Sequence, residues 1–375
     1  MTALRVAVVL GTRPEIIKLA GVIDGLGQAA VVIHTGQHYD DELSQVFLDG
    51  LGLAAPAHQL QLGGLTRAEQ IGRGTEAIAA LLESIGPHAV VVQGDTNTAL
   101  AGALAANATG HPLVHVEAGL RSYDRAMPEE HNRVLVDHLS DLLAAPTPAA
   151  VGNLAGEGLS GDQVICCGNT VIEGVARQLP DPARRSALLA EYGLCPAQFV
   201  LATLHRPENT DNPQTLARIL AELGSLALPV VLPLHPRTAA AVQAAGLTHL
   251  LEPLRVVVPM DGSTFLGLAA QAAVLVSDSG GVQEEVTVLG RPLVVVRRST
   301  ERPEAFEHHA TLVAPAGVAV AVNAYLDDLA AVHRDLESRP SPFGDGTASE
   351  TIVRETSARF GPTRRTASGT ERLSG

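Results

Sequence analysis

Several kinds of residue are scarce in this chain of 375 residues. It has no tryptophan and only three cysteines, and aromatic residues make up 3%. Two of the cysteines are adjacent, Cys166 and Cys167, so the set has neither the spacing of a metal site nor that of a disulfide framework. We therefore expect no metal and no disulfide, which fits a reducing cytoplasm.

Long hydrophobic runs are also missing. No apolar stretch approaches the roughly 20 residues that cross a membrane. A buried strand is predicted almost at the start, over residues 4–10, which is not the pattern of a signal or transit peptide. We therefore expect a cytoplasmic protein without a membrane segment.

Positive charge is the third scarcity. There are 26 basic against 40 acidic residues, a formal net charge of −14, so neither nucleic acid nor an anionic membrane is expected as the main partner. Lys18 is the single lysine among the basic residues. Either it survived by chance in an arginine-rich composition, or its position needs a compact ammonium that a planar guanidinium cannot replace. Its surroundings favour the second interpretation.

What the chain does contain is a globular α/β pattern, with 46% apolar residues. Its length suggests two or three domains. In the first half, helical patterns separate apolar runs, which predicts a doubly wound α/β domain over residues 1–170. The predicted strands of this half cover residues 4–10, 31–34, 89–93, 113–116, 142–145 and 164–167.

The second half repeats this organisation. A linking helix over 169–179 is followed by predicted strands at 199–204, 229–234, 255–258, 273–276 and 292–296. One long helix from Val318 to about Leu336 and a last helix near 349–359 follow. A second domain over 171–346 is therefore expected, and a disordered tail over 361–375. Two such domains leave a cleft, where ligand pockets are common.

Acidic side chains follow two strands of the first half. Asp95 comes after the strand at 89–93 and Glu117 directly after the strand at 113–116. Open α/β sheets bind ligands at the carboxyl ends of their strands, so two carboxylates there favour acid–base chemistry. The structural alternatives are a helix cap for Asp95 and first-turn acids for Glu129 and Glu130, which follow Pro128.

Anion sites are predicted in both halves. The turn that holds Arg13 precedes a helix that contains Lys18, and Ser279, Gly280 and Gly281 lie between a strand and a helix. Backbone amides and the helix dipole favour phosphate at such turns. Neither turn has a Walker or dinucleotide-binding pattern, so ATPase, kinase and NAD chemistry are not expected. Candidates to assist at phosphates or sugar hydroxyls are His205, Arg206, Arg302, Glu284 and Glu285.

These residues alone predict a two-domain cleft for a sugar nucleotide, and they leave glycosyl transfer and acid–base chemistry on the sugar both open. A family resemblance narrows the choice between these two reactions. The chain is similar to the non-hydrolysing UDP-N-acetylglucosamine 2-epimerases from residue 10 to about 355, through motifs at 11–15, 36–38, 93–96, 117–122, 128–133, 205–209, 277–285 and 300–304.

The resemblance implies a glycosyltransferase-B-like fold, with two Rossmann-like domains facing a cleft and a last helix, about 347–360, packing back on the first domain. It also implies a homodimer without cofactors. The implied reaction removes the proton from sugar carbon 2 as UDP leaves carbon 1, and re-adds both to interconvert UDP-GlcNAc and UDP-ManNAc. Implied catalytic residues are Asp95, Glu117, Glu129 and His205; implied substrate-binding residues are Arg13, Lys18, Phe265, Ser279, Gly280, Gly281, Glu285 and Arg302.

An activator site for a second UDP-GlcNAc is also implied by the resemblance, at Gln37, His38, Arg206 and His235. Which carboxylate acts on which face of the sugar stays open. The alternatives are an epimerase of a modified UDP-aminosugar, a hydrolysing relative, a glycosyltransferase on the same fold and a sugar-nucleotide sensor.

Overall fold

The computed structural model describes residues 3–37 and 51–362. The strands of the described part form one sheet of seven and one of six, and all their pairings are parallel. Parallel neighbours need crossover connections, which cover both faces of the sheet with helices. The predicted pair of doubly wound α/β units is confirmed.

The first sheet has the order β3-β2-β1-β4-β5-β6-β7. Strand order reverses beside β1, which has β2 on one side and β4 on the other. Ligands of open α/β sheets bind at such a reversal. The strands are β1 (Val6–Leu10), β2 (Ala30–His34), β3 (His58–Gln59), β4 (Ala89–Gln93), β5 (Leu113–Val116), β6 (Leu142–Ala145) and β7 (Val164–Cys166).

The helices of the first half begin where the sequence supplies caps. Thr66 and Glu69 form a reciprocal capping box, and Pro128 occupies the first turn of another helix, where its missing N–H costs nothing. These helices are α1 (Arg13–Leu26), α2 (Arg67–Ile85), α3 (Asn97–Ala108), α4 (Pro128–Leu139) and α5 (Pro148–Gly156).

The second sheet has the order β10-β9-β8-β11-β12-β13, with its reversal between β8 and β11. Its edge strand β13 was not predicted from the sequence, because two of its four residues are exposed and its pattern is short. The strands are β8 (Val200–Thr203), β9 (Val230–Pro233), β10 (Arg255–Val257), β11 (Val274–Ser277), β12 (Leu293–Val296) and β13 (Ala310–Val313).

One helix prediction in the second half is wrong. The chain over 318–336 forms two helices, because Asp328 caps the second one by accepting a hydrogen bond from the Ala331 amide. The helices here are α6 (Val171–Gln178), α7 (Pro182–Glu191), α8 (Pro207–Thr210), α9 (Pro213–Gly224), α10 (Pro236–Ala244), α11 (Gly262–Ala269), α12 (Gly280–Leu289), α13 (Val318–Leu326), α14 (Leu329–Ser338) and α15 (Ala348–Phe360).

Each sheet has apolar side chains on both faces. In the first sheet, Val8 and Val91 face one cluster, and Val9 and Val92 face the other. On the second face, α3 lies so close that a Cβ on Gly102 would come within 2.8 Å of Val92 Cγ1. The carboxyl ends of β1, β4 and β5 are therefore held rigidly beside one another.

Several contacts join the two halves. Ile352 of α15 packs in the core of the first sheet beside α1, and the Asn169 amide donates to the Phe343 carbonyl at 2.7 Å where the chain passes between the halves. No helix of the described residues is long and apolar enough to cross a membrane. The predicted tail over 361–375 lies mostly outside the described residues.

Candidate active site

Glu117 directly follows β5 and has a positive φ of 71°. This left-handed conformation is costly for a residue with a side chain. The amides of Glu117 and Ala118 both donate to the Ala144 carbonyl at 3.1 Å. The strand end is thereby bent, and the Glu117 carboxylate is directed inward, where the residue is only 6% exposed.

Both oxygens of the Glu117 carboxylate have partners. Oε2 accepts hydrogen bonds from Lys18 Nζ and from Gln93 Nε2 at 3.0 Å, while Oε1 accepts from Arg302 Nη2 at 3.0 Å. Burial raises the pKa of Glu117; Lys18 opposes this rise and the nearby Glu284 adds to it. The result is a desolvated carboxylate between two cations, with a basicity above that of an exposed glutamate.

Glu284 of α12 faces Glu117 across the same two cations. It is fully buried and accepts from Arg302 Nε at 2.7 Å, with Lys18 Nζ 2.9 Å from its other oxygen. Burial would raise the pKa of Glu284, but Arg302 and Lys18 outweigh burial and the pKa is lowered. We call Lys18, Glu117, Glu284 and Arg302 the interdomain charge cluster, because each half contributes one cation and one carboxylate.

Lys18 lies between the two carboxylates of this cluster. Burial alone would lower its pKa, but Glu117 and Glu284 outweigh burial and raise it, so the ammonium stays charged. A compact ammonium with rotatable donors can serve two carboxylates that approach from different directions. The geometry therefore agrees with the interpretation that this position needs a lysine.

Asp95 lies at the same sheet edge as Glu117, because β4 and β5 are adjacent. It does not cap α3; Thr96 does, by accepting from the Ala99 amide at 2.9 Å. The Asp95 carboxylate instead binds the Arg133 guanidinium, with Nε at 3.1 Å. The predicted placement of two carboxylates at neighbouring strand ends is confirmed.

The two first-turn acids of α4 differ in environment. Glu130 is buried and accepts from the Tyr123 amide at 2.8 Å, the Ser122 amide at 3.0 Å and Arg133 Nη1 at 2.6 Å. Glu129 is exposed on the first turn. Glu130 therefore fixes the loop after Glu117, while the Glu129 side chain stays accessible to a ligand.

In the second half, Asp278 organises the turn after β8. It is fully buried and accepts from the His205 amide at 3.1 Å and the Arg206 amide at 3.0 Å. Its carboxylate also lies 3.3 Å from His205 Nδ1. Burial lowers the pKa of His205, with Asp278 acting against it. The His205 ring packs near that of His235, with centroids 5.7 Å apart.

The turn before α12 fits an anion. Ser279 does not cap the helix with its side chain, so the first amides can face a ligand. A Cβ on Gly280 would come within 2.8 Å of Arg302 Nη1, so a residue with a side chain would collide with Arg302 at this position. Glu285, one turn into the helix, is half-buried; burial and the neighbouring Glu284 raise its pKa to about 7.

The turn before α1 is already filled by its own carboxylate. Fully buried Glu15 accepts from the Gly11 amide at 3.0 Å and from Thr96 Oγ1 at 2.7 Å. Burial raises the pKa of Glu15 to about 7. The Gly11 amide therefore has a protein partner, and Arg13 lies exposed on the first turn of α1.

A second group of charges lies behind Arg302. Glu301 is bound to Arg302 Nη1, and one of its oxygens lies 3.1 Å from Arg297 Nη1. Burial would raise the pKa of Glu301, but Arg302 and Arg297 outweigh burial and lower it. Arg297 did not stand out in the sequence. Glu301, Arg133 and Asp278 were present only as members of the motifs at 300–304, 128–133 and 277–285, and Glu130 was considered only with Glu129 as a first-turn acid.

The remaining predicted residues lie around this centre. Phe265 is half-buried against the core of the second sheet, and Arg206 Nε donates to the Asp278 carbonyl at 2.9 Å. Gln37 Oε1 accepts from the Thr98 amide at 2.9 Å. His38 lies outside the described residues. Across 3–37 and 51–362, no group of three His, Cys, Asp or Glu side chains could hold a metal ion.

This arrangement defines a class of protein. Two parallel-sheet domains each supply a carboxylate and a cation to one buried cluster, and the second domain adds a glycine turn at the start of α12. Such a site can take up and return a proton beside a bound phosphate group. The fold and the site are those of a two-domain, glycosyltransferase-B-like enzyme.

Comparison with known proteins is more specific. The family model for UDP-N-acetylglucosamine 2-epimerase matches residues 27–356. A Methanococcus maripaludis UDP-N-acetylglucosamine 2-epimerase is 37% identical over 362 residues, covering 93% of this chain and 97% of the relative. The chain belongs to the UDP-N-acetylglucosamine 2-epimerase family, and it is therefore an epimerase, a type of isomerase.

Two further relatives are similar over nearly the whole chain. The crystal structure of Methanocaldococcus jannaschii UDP-GlcNAc 2-epimerase in complex with UDP-GlcNAc and UDP matches with a TM-score of 0.82 and 35% identity, covering 95% of this chain and all of that one. A Pseudomonas aeruginosa UDP-2,3-diacetamido-2,3-dideoxy-D-glucuronate 2-epimerase is 34% identical over 359 residues, covering 93% of this chain and 98% of the relative.

Proposed function

We propose that this enzyme interconverts UDP-GlcNAc and UDP-ManNAc. The observation that carries the proposal is the buried Glu117 carboxylate, which is bound by one cation from each half of the chain. Relatives named for this reaction are 37% and 36% identical to the chain over nearly its full length.

The proposed reaction proceeds by elimination and re-addition. A carboxylate takes the proton from carbon 2 of the sugar, the C–H electron pair forms a double bond to carbon 1, and the bond from carbon 1 to the UDP oxygen breaks. UDP leaves with that electron pair, and 2-acetamidoglucal stays bound. In the return step, the UDP oxygen attacks carbon 1 and carbon 2 takes a proton on its opposite face.

The carboxylates proposed for proton transfer are Asp95, Glu117 and Glu129. Carbon 2 is a weak acid, so its deprotonation must be coupled to departure of the charged leaving group. Burial makes Glu117 more basic than an exposed glutamate, which suits a base. A proton must be accepted on one face and supplied on the other, which explains the need for more than one carboxylate.

The positive groups proposed to bind and release UDP come from both halves. Lys18, Arg13 and Arg302 supply charge, and Ser279, Gly280 and Gly281 supply backbone amides at the start of α12. His205, with its pKa lowered by burial, can donate a hydrogen bond to the departing diphosphate. Glu285 suits the ribose hydroxyls, and Phe265 suits the uracil ring.

A modified UDP-aminosugar is the second candidate substrate. It is favoured by the 34% identity to the Pseudomonas aeruginosa enzyme, which is close to the 37% identity to the Methanococcus enzyme. Both substrates would use the same carbon 2 chemistry, and only groups around the rest of the sugar would differ.

Further properties belong to the same proposal. We infer a cytoplasmic homodimer whose domains cover residues 1–170, with the helix at about 347–360, and residues 171–346. We also infer an activator site for a second UDP-GlcNAc that uses Gln37, His38, Arg206 and His235. The near approach of the His205 and His235 rings supports a link between activator and active site.

The decisive experiment is incubation with UDP-GlcNAc in D₂O. Mass spectrometry should detect one deuterium at carbon 2 of the recovered sugar nucleotide, together with UDP-ManNAc. Exchange only with a 2,3-diacetamido sugar would identify the second candidate. A glycosyltransferase would exchange no proton, and a hydrolysing enzyme would release stoichiometric free UDP; either result would exclude the proposed reaction.

A further inference from the structure

Glu284 connects more parts of the molecule than the other carboxylates of the cleft. Its Oε1 accepts from Arg302 Nε at 2.7 Å and from Asn169 Nδ2 at 2.9 Å. Its Oε2 lies 2.9 Å from Lys18 Nζ. The three donors come from the second half, the segment between the halves and the first half, so this one side chain fixes all three relative to each other.

We propose that Glu284 is a positioning residue that sets how tightly Lys18 and Arg302 hold the Glu117 carboxylate. This inference rests on the proposed function, in which Glu117 exchanges a proton with the sugar. Lys18 and Arg302 each bind both carboxylates. Glu284 therefore takes up part of the attraction that both cations would otherwise exert on Glu117 alone.

The charges around the pair support this role. Two cations against one carboxylate would make Glu117 a weak base, because opposite charges within hydrogen-bond distance favour the ionised form. The second carboxylate makes the cluster neutral and raises the pKa of Glu117. The charged groups that face the pair are Lys18 from α1, Glu285 from α12, and Arg302 and Glu301 from the segment before 303.

Alignment is the second part of the role. The Arg302 guanidinium uses Nε for Glu284, Nη1 for Glu301 and Nη2 for Glu117. Glu284 and Glu301, both of the second half, thus fix the plane of the guanidinium, and its remaining donor, Nη2, is directed at Glu117 of the first half. A planar donor set fixed in this way keeps its geometry during the reaction and needs no reorganisation.

The test is Glu284→Gln, with deuterium exchange at carbon 2 measured as a function of pH and UDP binding measured by calorimetry. The variant keeps the shape but adds one net positive charge to the cleft. We expect the maximal exchange rate to fall roughly tenfold or more, since a weaker base transfers protons more slowly. The acid limb of the pH profile should move to lower pH, and UDP should bind as tightly as to the wild type or more tightly.

Glu304→Gln is the matched control. Glu304 also accepts a hydrogen bond across the halves, from Thr147 Oγ1, but no described contact joins it to Lys18 or Arg302. This variant should keep the wild-type rate and acid limb. An equal effect of both substitutions would mean that Glu284 acts only as a bridge between the halves, and would overturn the inference.

A second variant separates the effect of the charge of Glu284 from the effect of its side-chain length. Glu284→Asp keeps the charge but is one methylene shorter, so it should slow exchange while the acid limb stays in place. If Glu284→Gln does not fold, wild-type exchange in Glu284→Asp overturns the inference. If the wild-type enzyme exchanges no proton with any UDP-aminosugar, the proposed function fails. In that case the calorimetric affinity for UDP tests the inference. Weaker UDP binding by Glu284→Gln than by the wild type contradicts it.

Discussion

The replacement of Lys18 by methionine should reveal how strongly the interdomain charge cluster holds the two halves together. Methionine has nearly the length of lysine but no charge. Lys18 is 7% exposed at the side chain and binds carboxylates that are 4% and 0% exposed. Its loss leaves two buried carboxylates with Arg302 between them, and an uncompensated buried charge costs about 3–5 kcal/mol.

A double-mutant cycle shows how much of this destabilisation comes from the interaction between Lys18 and Glu284. Lys18→Met changes the cluster from neutral to one net negative charge, and the second substitution Glu284→Gln restores neutrality with the Glu117–Arg302 pair intact. The double variant should therefore be less destabilised than the sum of the single variants by about 1–3 kcal/mol. Urea unfolding followed by circular dichroism gives the free energies, provided that the dependence on urea concentration is equal among variants.

Arg73→Met is the control for a charge loss at an exposed pair, since Arg73 and Glu69 form an ion pair with side chains 62% and 40% exposed. It should leave the unfolding midpoint unchanged, because exposed pairs contribute little. A loss below about 1 kcal/mol for Lys18→Met, or additivity of the two cluster substitutions within about 0.5 kcal/mol, would refute the reasoning.

Three further predictions concern single residues. Glu117→Gln should abolish deuterium exchange at carbon 2 while calorimetry still detects UDP binding; equal loss of both would assign Glu117 a structural role. Glu15 keeps its proton up to a pH of about 7 in the folded chain and up to about 4.5 when unfolded, so unfolding releases a proton between these values and stability falls as pH rises. Glu15→Gln should remove this loss of about 3 kcal/mol, measured as unfolding free energy at pH 5 and pH 8; equal pH dependence in both proteins would contradict it. Gly119→Ala should lower the thermal unfolding temperature, because φ is 83° and the new Cβ would lie 2.4 Å from the Ala150 carbonyl oxygen; an unchanged temperature would contradict it, with Gly152→Ala, which has open space, as the control.

Local pattern was sufficient for much of the fold. Apolar runs such as 89–93 and 142–145 predict strands because all-parallel strands are buried on both faces and must be apolar throughout. The turn residues between them position Asp95 and Glu117 at the carboxyl ends of β4 and β5. The errors lie where the local signal is short or ambiguous, as in β13 and in the break between α13 and α14.

The partners of the site residues depended on the tertiary structure. Lys18 and Glu284 are far apart in the chain, and nothing in either segment indicates that a buried ion pair joins them. The sequence distinguishes Lys18 as the only lysine, but only the packed sheets reveal why an ammonium is needed. The different environments of Glu129 and Glu130, and the filling of the first turn by Glu15, also follow from packing.

The sequence by itself therefore determined the order of the elements, the edge of each sheet where chemistry occurs and the family. The tertiary structure decided which charges share a desolvated space. Strand ends follow from local patterns of burial, whereas the basicity of a carboxylate depends on all charges within a few ångströms, whatever their distance along the chain.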